Sequence, residues 1–162
     1  MATLHLICGI ISSGKTTYAR RMMAQKPALL LSVDEVTLAL GDLLPPERHD
    51  DATICIKRHL MQKAEEALAA GLDVIFDWGF WHTTERQAME AYLQKAGIEH
   101  VWHYIDISAC RWAMYIAKRN QAVQRGETHA YYVDEGLKQK CTGLFQPPRR
   151  EEIDVWYVPQ EE

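Results

Sequence analysis

Gly9-Ile10-Ile11-Ser12-Ser13-Gly14-Lys15-Thr16 follows directly on the apolar run Thr3 to Cys8 and opens into a helical pattern from Lys15 to Met23. The spacing is G-x-x-x-x-G-K-T, and the setting, strand before and helix after, is the one a phosphate-binding loop needs. Glycines permit the turn, backbone N–H groups converge on phosphate oxygens, and the positive end of the following helix adds attraction. Lys15 can reach the β- and γ-phosphates as a point charge, and the Thr16 hydroxyl can coordinate Mg²⁺. Gly9, Ser12, Ser13, Gly14, Lys15, Thr16 and Thr17 are therefore assigned to the nucleotide.

Outward from that loop, apolar runs recur at Ala28–Ser32, Asp73–Phe76, Val101–Ile105 and Val155–Val158, with helical patterns between most of them. Runs apolar at nearly every position suit parallel strands covered on both faces, so the chain reads as a β-α-β alternation with helices on each side of one sheet. Val36 to Leu40 reads as a short helix stopped by Gly41 and Pro45-Pro46, and the charged segment from Glu47 to Asp51 as an exposed loop. A helix over Thr53 to Ala70 places Ile56, Leu60, Ala64 and Leu68 on one face. Thr83 or Thr84 is expected to cap the next helix, which runs to Ala96. Ser108 is expected to cap a long one that turns basic at Lys118, Arg119 and Arg125 before Gly126 breaks it.

The 162 residues, 48% hydrophobic, suffice for one sizeable core, and a single domain over residues 1–162 is expected. The formal charge of −4, with no long run of Lys or Arg, weakens any reading that needs a broad nucleic-acid-binding face. Cys8, Cys55, Cys110 and Cys141 are too widely spaced for a zinc motif or a disulfide framework. No apolar stretch approaches the roughly 20 residues of a membrane span, and the first residues lack a signal peptide's order, so a cytoplasmic protein without membrane contact is expected.

In open parallel sheets the site lies beyond the carboxyl ends of the strands, which brings Gly9, Asp34, Asp77 and Asp106 to one rim. Asp34 after the second strand suits a carboxylate that aligns an acceptor hydroxyl and takes its proton, with Glu35 as the local alternative. Asp77 ends an apolar strand and could hold Mg²⁺ or touch the acceptor. Arg119 and Arg125 flank a turn from which a lid could bring guanidinium groups onto phosphates, or they simply end a solvated basic helix. Arg86 sits unfavourably for its helix dipole, so it either meets a phosphate or carboxylate or forms a surface salt bridge. Trp78, Phe80, Trp81 and His82 line an acceptor pocket or plug the space beneath a loop. With Glu47, Asp50 and Asp51 nearby, that pocket would be acidic and would favour a neutral or amine-bearing molecule.

Together the segments Gly9 to Thr17, Ser32-Val33-Asp34-Glu35, Val74 to Asp77 with Arg86, Arg119-Asn120 and Phe145 to Glu152 resemble the phosphate-loop kinases. That group includes the polynucleotide 5′-hydroxyl kinase domain, chloramphenicol phosphotransferase and zeta-toxin-like kinases, often called AAA-type ATP-binding proteins. The resemblance implies a three-layer α/β/α fold with a five-stranded parallel sheet in the order 2-3-1-4-5 and a helical lid over about 118–130. It also implies adenine near Phe145 to Pro148, Asp34 as general base, and Arg119, then Arg125, as lid arginines. The reaction implied is transfer of a phosphoryl group from ATP, with Mg²⁺, to a hydroxyl of a small molecule. A polynucleotide 5′-hydroxyl kinase and a nucleotide-hydrolysing switch are the alternatives, and the acidic segment from Gly41 to Asp51 weakens the nucleic-acid one.

Overall fold

The apolar runs become five strands, β1 (Leu4–Cys8), β2 (Ala28–Leu31), β3 (Asp73–Gly79), β4 (His100–Ile105) and β5 (Val155–Tyr157), in a computed structural model that describes residues 1–160. All strand pairs are parallel and the sheet order is β2-β3-β1-β4-β5. Helices α1 (Lys15–Gln25), α2 (Val33–Leu40), α3 (His49–Ala69), α4 (Thr83–Ala96), α5 (Ala109–Gln124) and α6 (Glu135–Leu144) fill the connections. This is the order and layering of a P-loop NTPase.

One sheet face packs Leu4, Leu6, Val74, Phe76, Phe80 and Trp102 against Ala64 and Leu93 of α3 and α4. The other packs Ile7, Ile75 and Ile105 against Ala19 of α1. Leu6, Ile7, Ile75 and Phe76 are fully buried, each stabilising by roughly 1.5–3 kcal/mol. The α1 face also holds polar groups. The rings of His5 (β1) and His103 (β4) share a hydrogen bond of 3.0 Å, and Tyr18 of α1 bonds the other nitrogen of His103 at 3.0 Å. Asp73 closes the row, 3.9 Å from His5 and ion-paired with Lys26.

Two helices start earlier than the sequence suggests. Ser32 Oγ accepts from the Glu35 N–H, so α2 begins at Val33 and both Asp34 and Glu35 lie in its first turn. The expected loop from Glu47 to Asp51 is instead a 3₁₀ turn (Pro46–Arg48) running into α3 at His49. Pro46 opens that turn, and Asp50 and Asp51 meet the positive end of α3, so the charges that suggested a loop favour a helix start. His82, not Thr83 or Thr84, occupies the cap position of α4. Among the described residues no helix is long and apolar enough to cross a membrane.

Candidate active site

The loop after β1 is bent by two left-handed residues, Ser12 (φ 56°) and Gly14 (φ 93°). Its outward carbonyls are all engaged: Gly9 by the Trp81 indole N–H (3.1 Å), Ile10 by Lys15 Nζ (2.9 Å) and Ile11 by the Trp112 indole N–H (2.7 Å). Gly9 N–H donates to Gly79 of β3 (3.0 Å). With the carbonyls held from outside and no side-chain cap on α1, the leading N–H groups of that helix are the donors an anion would meet.

Ser13 is turned the other way. Its side chain is fully buried, its N–H donates to Ile10 O, and its Oγ has no partner among the described residues. A Cβ on Gly9 would stand 2.7 Å from that oxygen, so Gly9 is fixed by close approach. Thr17 lies exposed on α1.

Between Leu6–Phe76 and Cys8–Gly79 the register of β1 and β3 shifts by one residue. This bulge lies at Asp77 and Trp78, where a strand is bent and its side chains re-aimed. Asp77 is 8% exposed, and its Oδ2 accepts from Thr16 Oγ1 at 2.6 Å. The Thr16 hydroxyl thus spends its proton on Asp77 and keeps its oxygen lone pairs for a cation, and both donors are the hard oxygens Mg²⁺ prefers. Among the described residues no cluster of three or more His, Cys, Asp or Glu could hold a metal. A cation at Thr16 and Asp77 would therefore complete its shell with phosphate and water oxygens, as Mg²⁺ commonly does.

Asp34 shares an electrostatic neighbourhood with Lys15, Asp77 and Arg119. The walls around it strip water and raise its carboxyl above the ordinary carboxylate value; Lys15 and Arg119 oppose this, while Asp77 adds to it. Burial lowers the Lys15 ammonium, and Asp77 and Asp34 pull it back up. Arg119 bonds Ser12 Oγ (3.1 Å) and the Tyr131 carbonyl (2.9 Å), linking the phosphate loop to the segment beyond α5. Asn120 pins that segment through both the N–H and the C=O of Val133. Of the lid region expected over 118–130, residues 118–124 belong to α5 and the rest to irregular chain that runs from 125 to 134.

Other expected site residues fall elsewhere. Arg125 is 68% exposed, with Glu127 as its nearest carboxylate at 3.9 Å, and it does not join Lys15, Asp34, Asp77 and Arg119. Arg86 is 3% exposed and donates to Glu152 (3.1 Å), Phe80 O (2.9 Å), Gln146 O (3.0 Å) and Thr83 Oγ1 (3.2 Å). Its partner is a carboxylate of this chain, and four of its five N–H donors are spent on the protein itself. Trp78 stacks between Phe76 (3.9 Å) and Phe80 (5.7 Å) and donates to Leu31 O, which makes it a plug rather than a pocket wall. Trp81 serves the phosphate loop. Asp106 accepts from the Trp156 indole (2.9 Å), and Phe145 stacks toward Tyr104 on the core face of α3 and α4. Among the described residues Glu35 makes no side-chain hydrogen bond or ion pair, and it is Asp34 that has Lys15, Asp77 and Arg119 as charged neighbours.

Beside Asp34 opens a cleft of about 460 Å³ whose walls include Thr37, His49, Asp50, His129, Tyr131 and Lys140. Thr37 joins it to the floor, its hydroxyl bonded to Asp34 O (3.1 Å) and to Tyr131 OH (2.7 Å), while His49 meets the Tyr131 ring edge-on. Of the acidic residues expected around an acceptor pocket, Asp50 alone lines this one. The sequence reading missed Thr37, His49, His129, Tyr131, Lys140 and Trp112, which carry no shared spacing. The placement of Asn120 beside Arg119 was the nearest available signal.

Fold and loop define a P-loop NTPase. Residues 4–140 match the AAA domain family (AAA_33), and the chain belongs to that family. No curated protein matches the chain in sequence. Among solved structures, a candidate kinase from Chloroflexus aurantiacus is similar over 97% of this chain and 86% of its own, at 17% identity and a TM-score of 0.72. The Mycobacterium tuberculosis APS kinase CysC, solved with AMPPNP and APS, is similar over 99% and 90%, at 19% identity and 0.66. A gluconokinase from Sinorhizobium meliloti is similar over 99% and 84%, at 14% identity and 0.63.

Proposed function

We propose that this chain, as one P-loop domain, is an ATP- and Mg²⁺-dependent kinase that transfers the γ-phosphoryl group to a hydroxyl of a small molecule. The observation that carries this is the substrate-sized cleft whose walls include Thr37, bonded to Asp34 O, and Tyr131, whose carbonyl accepts from Arg119. A nucleotide-hydrolysing switch needs no acceptor cleft. The similar folds named for APS kinase and gluconokinase support the reading, as does the AMPPNP in one of them.

In this reading the α1 N-terminus and Lys15 hold the β- and γ-phosphates, Lys15 leaving the Ile10 carbonyl to do so. Thr16 and Asp77 hold Mg²⁺, which supplies neutralisation of charge on the phosphates. Arg119 adds positive charge from the side of the covering segment. Asp34 orients the acceptor hydroxyl and takes its proton as the new O–P bond forms and the bond to the ADP leaving group breaks. Its raised carboxyl makes it a better proton acceptor than an ordinary aspartate.

Asp34→Asn tests this assignment. ATP binding measured by calorimetry should persist while acceptor-dependent transfer falls by about 10²–10⁴-fold, and Lys15→Ala should lose both. Retained transfer in Asp34→Asn would remove Asp34 as the base.

A further inference from the structure

We propose that the acceptor is a compact hydroxylated anion, its charge held by Lys140 with His129 at the mouth of the cleft and its hydroxyl presented to Asp34. This rests on the kinase reading above and names the class of its acceptor.

The cleft carries an imbalance of charge. Lys140, His49 and His129 line it, against one carboxylate, Asp50. Asp50 projects fully into solvent, with His49 as its neighbour at 3.9 Å. Lys140 has no hydrogen bond or ion pair among the described residues, whereas Lys138 on the same helix reaches Glu135 and the Trp112 ring. An unpaired ammonium on the wall of a cleft lined by both polar and apolar residues is complemented by an anionic ligand.

The position of that cation matters as much as its charge. Cys141, the next residue along α6, is buried and lies within the electrostatic reach of Lys15, Arg119 and Asp34. Lys140 therefore stands on a helix that flanks the catalytic floor, while the carboxylates Asp34 and Asp77 occupy the floor itself. A ligand with its negative group toward Lys140 and its hydroxyl toward Asp34 keeps the two negative charges apart. A ligand with the opposite polarity would set a cation against Lys140. Thr37 and Tyr131, between the two ends, offer hydroxyls for further hydroxyl groups on the ligand.

A cleft of about 460 Å³ is the size of a small-molecule site. Lys140 is the sole Lys or Arg among its lining residues, and a nucleic-acid strand would call for a basic track along its backbone.

The test uses the full chain with ATP and Mg²⁺ and acceptors in matched pairs: D-glycerate with glycerol, D-gluconate with D-glucose, D-glucose 6-phosphate with D-glucosamine, and a 5′-hydroxyl oligonucleotide. Product is detected by mass. The anionic member should be preferred by about 10-fold or more in kcat/KM. Preference for the phosphate ester or for the carboxylates identifies the source of the charge. Lys140→Ala should raise the KM for that acceptor by about 10-fold with little change in kcat, and Lys140→Arg should restore it. Equal or better transfer to neutral or amine-bearing members, or an unchanged KM in Lys140→Ala, overturns the proposal and leaves the kinase reading standing; preference for the oligonucleotide overturns both the proposal and the small-molecule acceptor. ATP bound but transferred to no acceptor overturns the proposal and the kinase reading together.

Discussion

Acid should destabilise this protein through His103, in a window its folded environment defines. The ring is 5% exposed between the sheet and α1, and burial pushes it from the ordinary 6.5 to about 4, with His5 adding to the drop and Asp154 opposing it. His5 is lowered as well, chiefly by burial. The hydrogen bonds run consistently when both rings are neutral. Tyr18 donates to His103 Nδ1, His103 Nε2–H donates to His5 Nδ1, and His5 Nε2–H faces Asp73. Between pH 6.5 and 4 the unfolded chain takes up a proton that the folded chain refuses, so stability falls as pH falls through that range. A drop from 6.5 to about 4 corresponds to about 3 kcal/mol, a large share of a domain's usual margin. Urea unfolding followed by tryptophan fluorescence at pH 7.5, 6, 5 and 4.5 measures the slope. In His103→Asn the protein should be less stable at pH 7.5 but lose distinctly less on acidification. An identical loss in the variant would refute the assignment of the slope to His103.

Two further outcomes test the support of the phosphate loop. Trp112→Phe keeps the ring but deletes the hydrogen bond to Ile11 O, and ATP affinity by calorimetry should fall by about 5- to 10-fold with little change in thermal stability. Gly79→Ala combines a positive φ of 80° with a Cβ 2.7 Å from the Trp81 indole nitrogen. It should cost about 1–3 kcal/mol in thermal unfolding and also weaken ATP binding, because the displaced indole holds Gly9 O.

The phosphate loop was legible because all its chemistry lies in eight consecutive residues between two recognisable elements. Asp34 and Asp77 were legible because strand ends converge on one rim in any such sheet. The strand order came from resemblance alone, since nothing local tells β1 to pair with both β3 and β4. One wall of the cleft, from Gly41 to Asp50, lies in the segment expected to face an acceptor, while the other, from His129, Tyr131 and Lys140, escaped because those residues are far away in the chain and none is distinctive alone. The charged start of α3 misled as to structure. Asp50 and Asp51 looked like loop and serve the first turn of a helix, from which Asp50 alone lines the cleft. For Arg86 the dipole argument correctly sensed a missing anion but could not see Glu152, 66 positions away.

Arg86 also ties the chain beyond residue 140 to the rest of the fold. The segment that matches the family stops at residue 140, yet two of the four acceptors around this guanidinium, Gln146 O and Glu152, come later, and so does β5. A fragment cut at 140 would expose the outer edge of β4 and strand a buried charge with half its partners gone. Removing a partner from a buried ion pair typically costs about 3–5 kcal/mol. The stretch from 141 to 157, which holds none of Lys15, Asp34, Asp77 and Arg119, is thus the keystone that lets the rest of the arch stand.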